Sequence, residues 1–201
     1  CVDNSVDHCQ RAGDMGVKVI RGNGLDDELL AEARIQLRAC SSAFSPNDES
    51  NLLFIQKAKR LGKVSRLLAA LRSATAGATT DMVHKAGGQV LFADDYDITM
   101  WSSRLELAEA TVERLVAGPN AQLGHDVRGA TLFLPLAHHR GTVARPIADD
   151  IVLKTGDEIT AALSAHQRSA ARRFITERGF RLATEAPPKP VGDDDLAPAP
   201  A

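Results

Sequence analysis

The residues best suited to chemistry in the first half of the chain sit where short apolar runs end. Asp3 and Asn4 follow Val2, Asn23 and Gly24 follow the run Val17-Lys-Val-Ile20, and Ser45 and Asp48 follow the segment 39–44. A carboxylate at the end of a strand can accept both hydroxyls of a ribose. A free 2′-hydroxyl on that ribose would favour NAD or ATP over NADP. The amide of Asn23 could hydrogen-bond a base edge, and Ser45 offers a hydroxyl and its backbone to a dinucleotide. Each residue also has a plainer use. Asp3 can begin a turn or cap a helix from Ser5, and Asn23 can serve a Gly22-Asn23-Gly24 turn through positive φ. Asp48 and Asn51 can act as helix cap and loop anchor.

The elements expected to position these residues alternate. Val2-Asp3 reads as the stub of a strand, and 5–15 as a short helix. Val17 to Ile20 is β-branched and stops at the Gly-Asn-Gly turn. Asp26 or Asp27 can cap a helix whose Leu29, Leu30 and Ala33 share one face. A weak strand over 39–44 precedes a helix in which Leu52, Ile55, Ala58 and Leu61 recur every three residues up to Gly62. A strand over 67–71, a helix over 80–86 closed by Gly87-Gly88, and a strand over 89–93 complete the series. This order predicts an α/β chain with a Rossmann-like, doubly wound parallel sheet. The glycine-rich GxGxxG turn that cradles pyrophosphate does not occur in these residues. With no Met before Cys1, the expectation is a fragment whose first strand, turn and helix lie upstream.

Composition narrows the classes. With 201 residues, 44% hydrophobic and 25% charged, two small globular cores fit. A net charge of −2 with scattered Lys and Arg gives no cationic stripe, so nucleic acid is not expected as a partner. The longest apolar run, 130–137, falls far short of the roughly 18 residues of a membrane span, so no direct membrane insertion is expected. Cys1, Cys9 and Cys40 form no CxxC pair, which points away from a disulfide scaffold or a zinc site and toward a reducing cytoplasm.

In the second half, 98–117 reads as one long helix with an apolar stripe of Leu105, Leu107, Ala108, Thr111, Val112 and Leu115. Trp101 near its start is a candidate contact anchor. The stripe is wider than one small domain needs, and its plainer use is a linker helix packed on its own sheet. From 118 to 183 the expectation is a small α+β subdomain: a strand over 130–136, a turn at His138-His139-Arg140, strands over 141–144 and 158–163, and a helix over 164–178. Neighbouring histidines in a turn diverge, so a metal there is disfavoured. The Pro- and acid-rich stretch 184–201 reads as a disordered tail. No nucleophile with a nearby base, no paired carboxylates and no HExxH spacing are found, so no catalytic residues are assigned.

The ordered pieces Asp3, Gly16-Val17, Gly22-Asn23, Leu29-Leu30-Ala31-Glu32-Ala33 and Asn47 to Leu52, followed by Arg145-Pro146 and Asp150 to Ile159, resemble the regulator-of-potassium-conductance family (TrkA-N plus TrkA-C). Its members serve Trk- and Ktr-type transporters, ligand-gated potassium channels and some antiporters. The resemblance implies domains at 1–97 (TrkA-N) and 118–183 (TrkA-C), joined by a crossover and dimerisation helix at 98–117. It implies a cytoplasmic, non-enzymatic regulator at the inner face of the membrane. The implied ligands are NAD/NADH or ATP/ADP, and the implied partners are copies of itself, paired and then in a ring, and a membrane-embedded potassium or cation pore. It also places Asn23 where the family usually has an acid on the adenine side. Ala70 stands where an arginine commonly approaches the nucleotide, so Arg72 could substitute only with a two-residue shift of register. The alternatives are a dinucleotide-dependent oxidoreductase fragment, with Tyr96 its only tyrosine, and a ring subunit that has lost its ligand.

Overall fold

A computed structural model describes residues 1–62, 64–72, 77–93, 96–124 and 129–183. The expected tail at 184–201 lies outside them. The elements run β1 (Val2–Asp3), α1 (Val6–Asp14), β2 (Ile20–Arg21), α2 (Asp27–Glu32), β3 (Cys40–Ala43), α3 (Asp48–Leu61), β4 (Arg66–Ala69), α4 (Thr80–Ala86), β5 (Gln89–Val90), α5 (Ile98–Glu106), β6 (Ala110–Ala117), β7 (Phe133–Arg140), β8 (Val143–Pro146), β9 (Glu158–Ser164), α6 (Arg168–Glu177) and β10 (Phe180–Leu182), with short 3-10 turns at Ile35–Leu37 and Gly129–Thr131.

Local chemistry explains most helix boundaries. Ser5, Asp26, Asn47, Thr79 and Asp97 each accept a backbone N–H of the first turn through a side-chain oxygen, satisfying donors that the helix leaves open. Gly87 closes α4 at φ 87°, a conformation that costs a residue with a Cβ. On α3 Leu52, Ile55 and Ala58 go under as the spacing predicts, whereas Leu61, expected on the same face, is exposed in the last turn. The buried residues pack with Leu67, Ala69 and Val83 into the N-terminal core.

The first half is not one sheet. β1 pairs only with β2, in parallel, and β3, β4 and β5 form a separate parallel sheet in that order. The expected continuous doubly wound sheet is therefore corrected to two small ones. In a doubly wound sheet of order 3-2-1-4-5-6, the first strand stands between the second and the fourth. The break between β1 and β3 falls at that position, so the topology is the one expected with that strand left out.

The second half also differs from expectation. The helix expected over 98–117 ends at Glu106. Ala108 takes φ 55°, and the chain leaves as strand β6. β6 pairs with β9 over Ala110 to Val116 and with β10 on its other edge, inside a five-stranded antiparallel sheet ordered β10-β6-β9-β7-β8. Thr111, Val112 and Val116 suit a pleated sheet, and the long pairing with β9 outweighs a helical stripe that stays within one segment. The reading of 98–117 as a single helix falls with it: Leu115 is a fully buried sheet residue, and Trp101, expected as a contact anchor, is 1% exposed within the chain, its Nε1–H donating to the Ala130 carbonyl. The turn expected at His138-His139-Arg140 is also corrected. These residues belong to β7, and Gly141, at φ 61°, makes the turn instead.

Between the halves, the segment 147–150 lies against β5. Leu91 bridges Ala148, the Phe92 N–H donates to the Ile147 carbonyl, and the Asp149 N–H donates to the Val90 carbonyl.

Candidate functional site

The expected site residues fall into two groups at the carboxyl ends of the parallel strands. In the first, Asp3 closes β1. Its Oδ1 accepts the Ser5 N–H at 2.8 Å and its Oδ2 lies 3.3 Å from His8 Nδ1, so both oxygens already have neighbours while the side chain keeps 32% of its exposure. Asp3 thus organises the entry to α1. Asn4 is exposed beside it. Asn23 does not take positive φ. Its Oδ1 accepts the Leu25 N–H at 3.0 Å in an Asx turn, and Gly22 carries the positive φ in its place. Gly24 sits half-buried in the same turn.

The second group is tied more firmly. Asn51 is 1% exposed and stitches two strand ends together. Its Oδ1 accepts the Ser45 N–H at 2.9 Å and the Ser45 hydroxyl at 2.8 Å, while its Nδ2 donates to the carbonyls of Ser45 and Ala70. Asp48 is 3% exposed, receives the Arg72 N–H, and faces the Arg72 Nε at 3.5 Å. Asn47 makes the N-cap of α3 by accepting the Ser50 N–H at 2.6 Å. Ser45, Asp48 and Arg72 come together, therefore, as a loop anchor. Among the described residues no hydrogen bond or ion pair joins this group to Asp3 or Asn23.

Ala70, at the position discussed for an arginine, is 1% exposed and packs with Leu68, Leu91 and Ala148. The register keeps it inside the core, and Arg72 points its guanidinium at Asp48. Tyr96, the one tyrosine, is 1% exposed in a core with Trp101. A hydride-transfer partner would have to reach it through that packing.

Sequence reading missed the polar brace between the halves. Arg66, on β4, donates to Gln89 at 3.0 Å and to Asp150 at 2.7 Å; Gln89 also donates to Asp150; His84 and Asp149 meet at 2.6 Å. The Asp149-Asp150 pair was the available signal, but only the fold shows which cations it meets. In the C-terminal sheet His138 is 8% exposed with Nε2 3.1 Å from Asp157 Oδ2. Burial pushes the Asp157 carboxyl up, but the Lys154 N–H, His138 and Arg140 outweigh it and hold the group below the ordinary carboxylate range. His139 is driven below the usual imidazole value by burial first and then by the Arg114 charge. Among the described residues no cluster of three or more metal-binding side chains is present, and no helix is long and apolar enough to cross a membrane.

Two parallel βα sheets carrying polar residues at their carboxyl ends define the N-terminal half as a Rossmann-like domain. Residues 1–91 match the TrkA-N domain family. Among solved structures, the TrkA-N domain of the inner membrane protein ybaL from Escherichia coli is 15% identical with a TM-score of 0.42, over 54% of this chain and 76% of that one. The GsuK channel bound to NAD is 14% identical with a TM-score of 0.39, over 87% of this chain and 34% of its own. The human SLO3 gating ring is 11% identical with a TM-score of 0.32, over 87% of this chain and 41% of its own. The chain thus spans about a third of the GsuK channel's length. No curated protein matches.

Proposed function

We propose that the chain is a cytoplasmic, nucleotide-responsive gating module of a monovalent-cation transporter or channel, working as paired copies within a ring. The observation that carries this reading is the TrkA-N domain at 1–91 braced to a separately cored antiparallel sheet by Arg66, Gln89 and Asp150. A nucleotide, NAD/NADH or ATP/ADP, would lie across the carboxyl ends of β1 to β4. There Asp3 offers its half-exposed carboxylate to the ribose, Asn23 its amide to the base, and Ser45 its backbone. Asp48 and Arg72 hold the floor of the loop. Binding shifts the module only through a difference in affinity between its two arrangements, and the brace passes that difference to the second sheet. No step of bond chemistry is assigned to it.

Calorimetric titration of the full protein with NADH, NAD, ATP and ADP tests this. Micromolar binding by one of them is expected, weakened about tenfold by Asp3→Asn. That variant keeps an acceptor for the Ser5 N–H but loses the charged partner of the ribose. No binding by any of the four overturns the nucleotide reading, and turnover of an added alcohol or hydroxy acid would favour the oxidoreductase alternative. One observation favours a second reading, a ring subunit without a nucleotide: Ala70 is sealed in the core and Arg72 is already engaged by Asp48.

A further inference from the structure

Asn23 is followed by Gly24, and none of Asn4, Asn47, Asn51 and Asn120 has a glycine after it. A glycine leaves the backbone nitrogen after an asparagine uncrowded, because no Cβ shields it. Nothing lies within 4 Å of the place a Gly24 side chain would take, and the Gly24 N–H makes no hydrogen bond among the described residues. Asn23 is exposed, and its side chain is held in one place: Oδ1 accepts the Leu25 N–H at 3.0 Å. The ring closed by that bond contains both Asn23 Cγ and the Gly24 nitrogen, so an electrophile and a nucleophile are kept close. The Leu25 N–H also sits where negative charge gathers on Oδ1 if the nitrogen adds to Cγ, an arrangement that stabilises an oxyanion. Lys57, which also pairs with Asp27, donates from Nζ to the Leu25 carbonyl at 2.7 Å and so steadies that donor.

We infer that Asn23 is a site of spontaneous deamidation, with solvent water as the co-reactant. Hydroxide removes the Gly24 amide proton, the Gly24 nitrogen bonds to Asn23 Cγ, and the Cγ–Nδ2 bond breaks. Nδ2 takes up a proton from water and leaves as ammonia, which regenerates the hydroxide. Water then opens the cyclic imide at either of its carbonyl carbons, giving aspartate or isoaspartate, and nothing is oxidised or reduced. Ring closure requires rotation of the Asn23 backbone, and β2, two residues long and paired with β1 alone, opposes little. Both products place a carboxylate at the end of β2 where a neutral amide stood. Aspartate keeps an acceptor for the Leu25 N–H. Isoaspartate reroutes the main chain through Cβ and Cγ, so the carbonyl that accepts the Asp26 N–H at 2.9 Å leaves the backbone. Asp26 is the N-cap of α2, so the change is passed to the start of that helix. The reaction runs one way and marks the age of each copy of the chain.

The test is incubation of the full protein in neutral and mildly alkaline buffers made with heavy-oxygen water, followed by digestion and peptide mass spectrometry. The peptide carrying Asn23 is expected to gain mass with uptake of the heavy oxygen, faster at the higher pH. The peptides carrying Asn4, Asn47, Asn51 and Asn120 should lag far behind it. Gly24→Ala should lose most of the conversion, because its Cβ crowds the attacking nitrogen. That variant meets no neighbour and no positive φ, so before incubation it should melt with the natural protein. A parallel sample in urea separates the sequence from the fold: conversion there but not in the folded protein means that the turn shields Asn23, and overturns the inference. Equal conversion at another asparagine, or an undiminished rate in Gly24→Ala, overturns it as well.

Discussion

The two halves of the molecule solve the burial problem differently. In the C-terminal half, β6 and β7 run eight residues each and pair with neighbours on both edges. The Phe133 ring lies about 6 Å from those of Phe174 and Phe180, tilted against each. At the start of the N-terminal half, β1 and β2 are two residues long, and α1 buries none of its side chains. Antiparallel strands close on themselves through local turns and can leave one face wet. Parallel strands need cover on both faces and partners beyond a single neighbour. Stability in this chain is therefore expected to be graded, with the β6–β10 sheet the most robust part and β1–α1–β2 the least.

The largest test of that contrast is Phe133→Ala. The residue is fully buried between two rings, and its loss should cost about 3–5 kcal/mol, read as a large fall in melting temperature with loss of near-ultraviolet dichroism. If that change were mild, the C-terminal sheet would not be the stable half. Asn51→Ala comes next. It leaves the Ser45 N–H and the Ala70 carbonyl without partners, for about 2–3 kcal/mol, and hydrogen exchange should accelerate at the ends of β3 and β4 while β6 and β9 stay protected.

Acid should act on the C-terminal half at smaller amplitude. Asp157 has a lowered carboxyl pKa, so its contribution is full above the unfolded value of about 3.8 and fades as pH falls through the lower folded value. His139 is lowered too, so the folded state resists its protonation, and stability is lost as pH drops below about 6.5 toward the folded value. Urea melts from pH 7 to 5 should show that first loss, and His139→Gln should flatten it; a loss that persists in the variant would assign it to other groups. The smallest effect belongs to Val6→Ala, at 61% exposure on α1, which should change stability by less than about 0.5 kcal/mol. A larger change would mean that α1 is covered in solution by something that packs on it.

How far these features could be read in advance depended on the range of the forces that set them. Helix α4 was expected at 80–86 and is Thr80–Ala86, because Thr79 and Gly87 write both ends locally. The face of α3 was equally plain, since Leu52, Ile55 and Ala58 recur within one element. The residues 107–117 misled because Leu107, Thr111, Val112 and Leu115 fit a helical stripe, while Thr111, Val112 and Leu115 pair with β9, some fifty residues away in sequence. At the candidate site, the anchoring use of Asp48 and Asn51 was among the readings open from the start. The turn-forming use of Asp3 beside Ser5 was open too, but that its second oxygen would lie against His8 was not visible.

The amino-acid sequence by itself determined the alternation of strands and helices through β5, the caps of their helices and the TrkA-N match of residues 1–91, because these depend on neighbours a few residues apart and on short motifs. Only the tertiary structure decided that the parallel strands split into two sheets at β1 and β3, that 110–117 is a strand, and that Arg66 and Gln89 meet Asp150 across the two halves. Those outcomes rest on strand register and on pairings between distant segments. A side chain's partner across a sheet is set by the ladder as a whole and is not written at its own position.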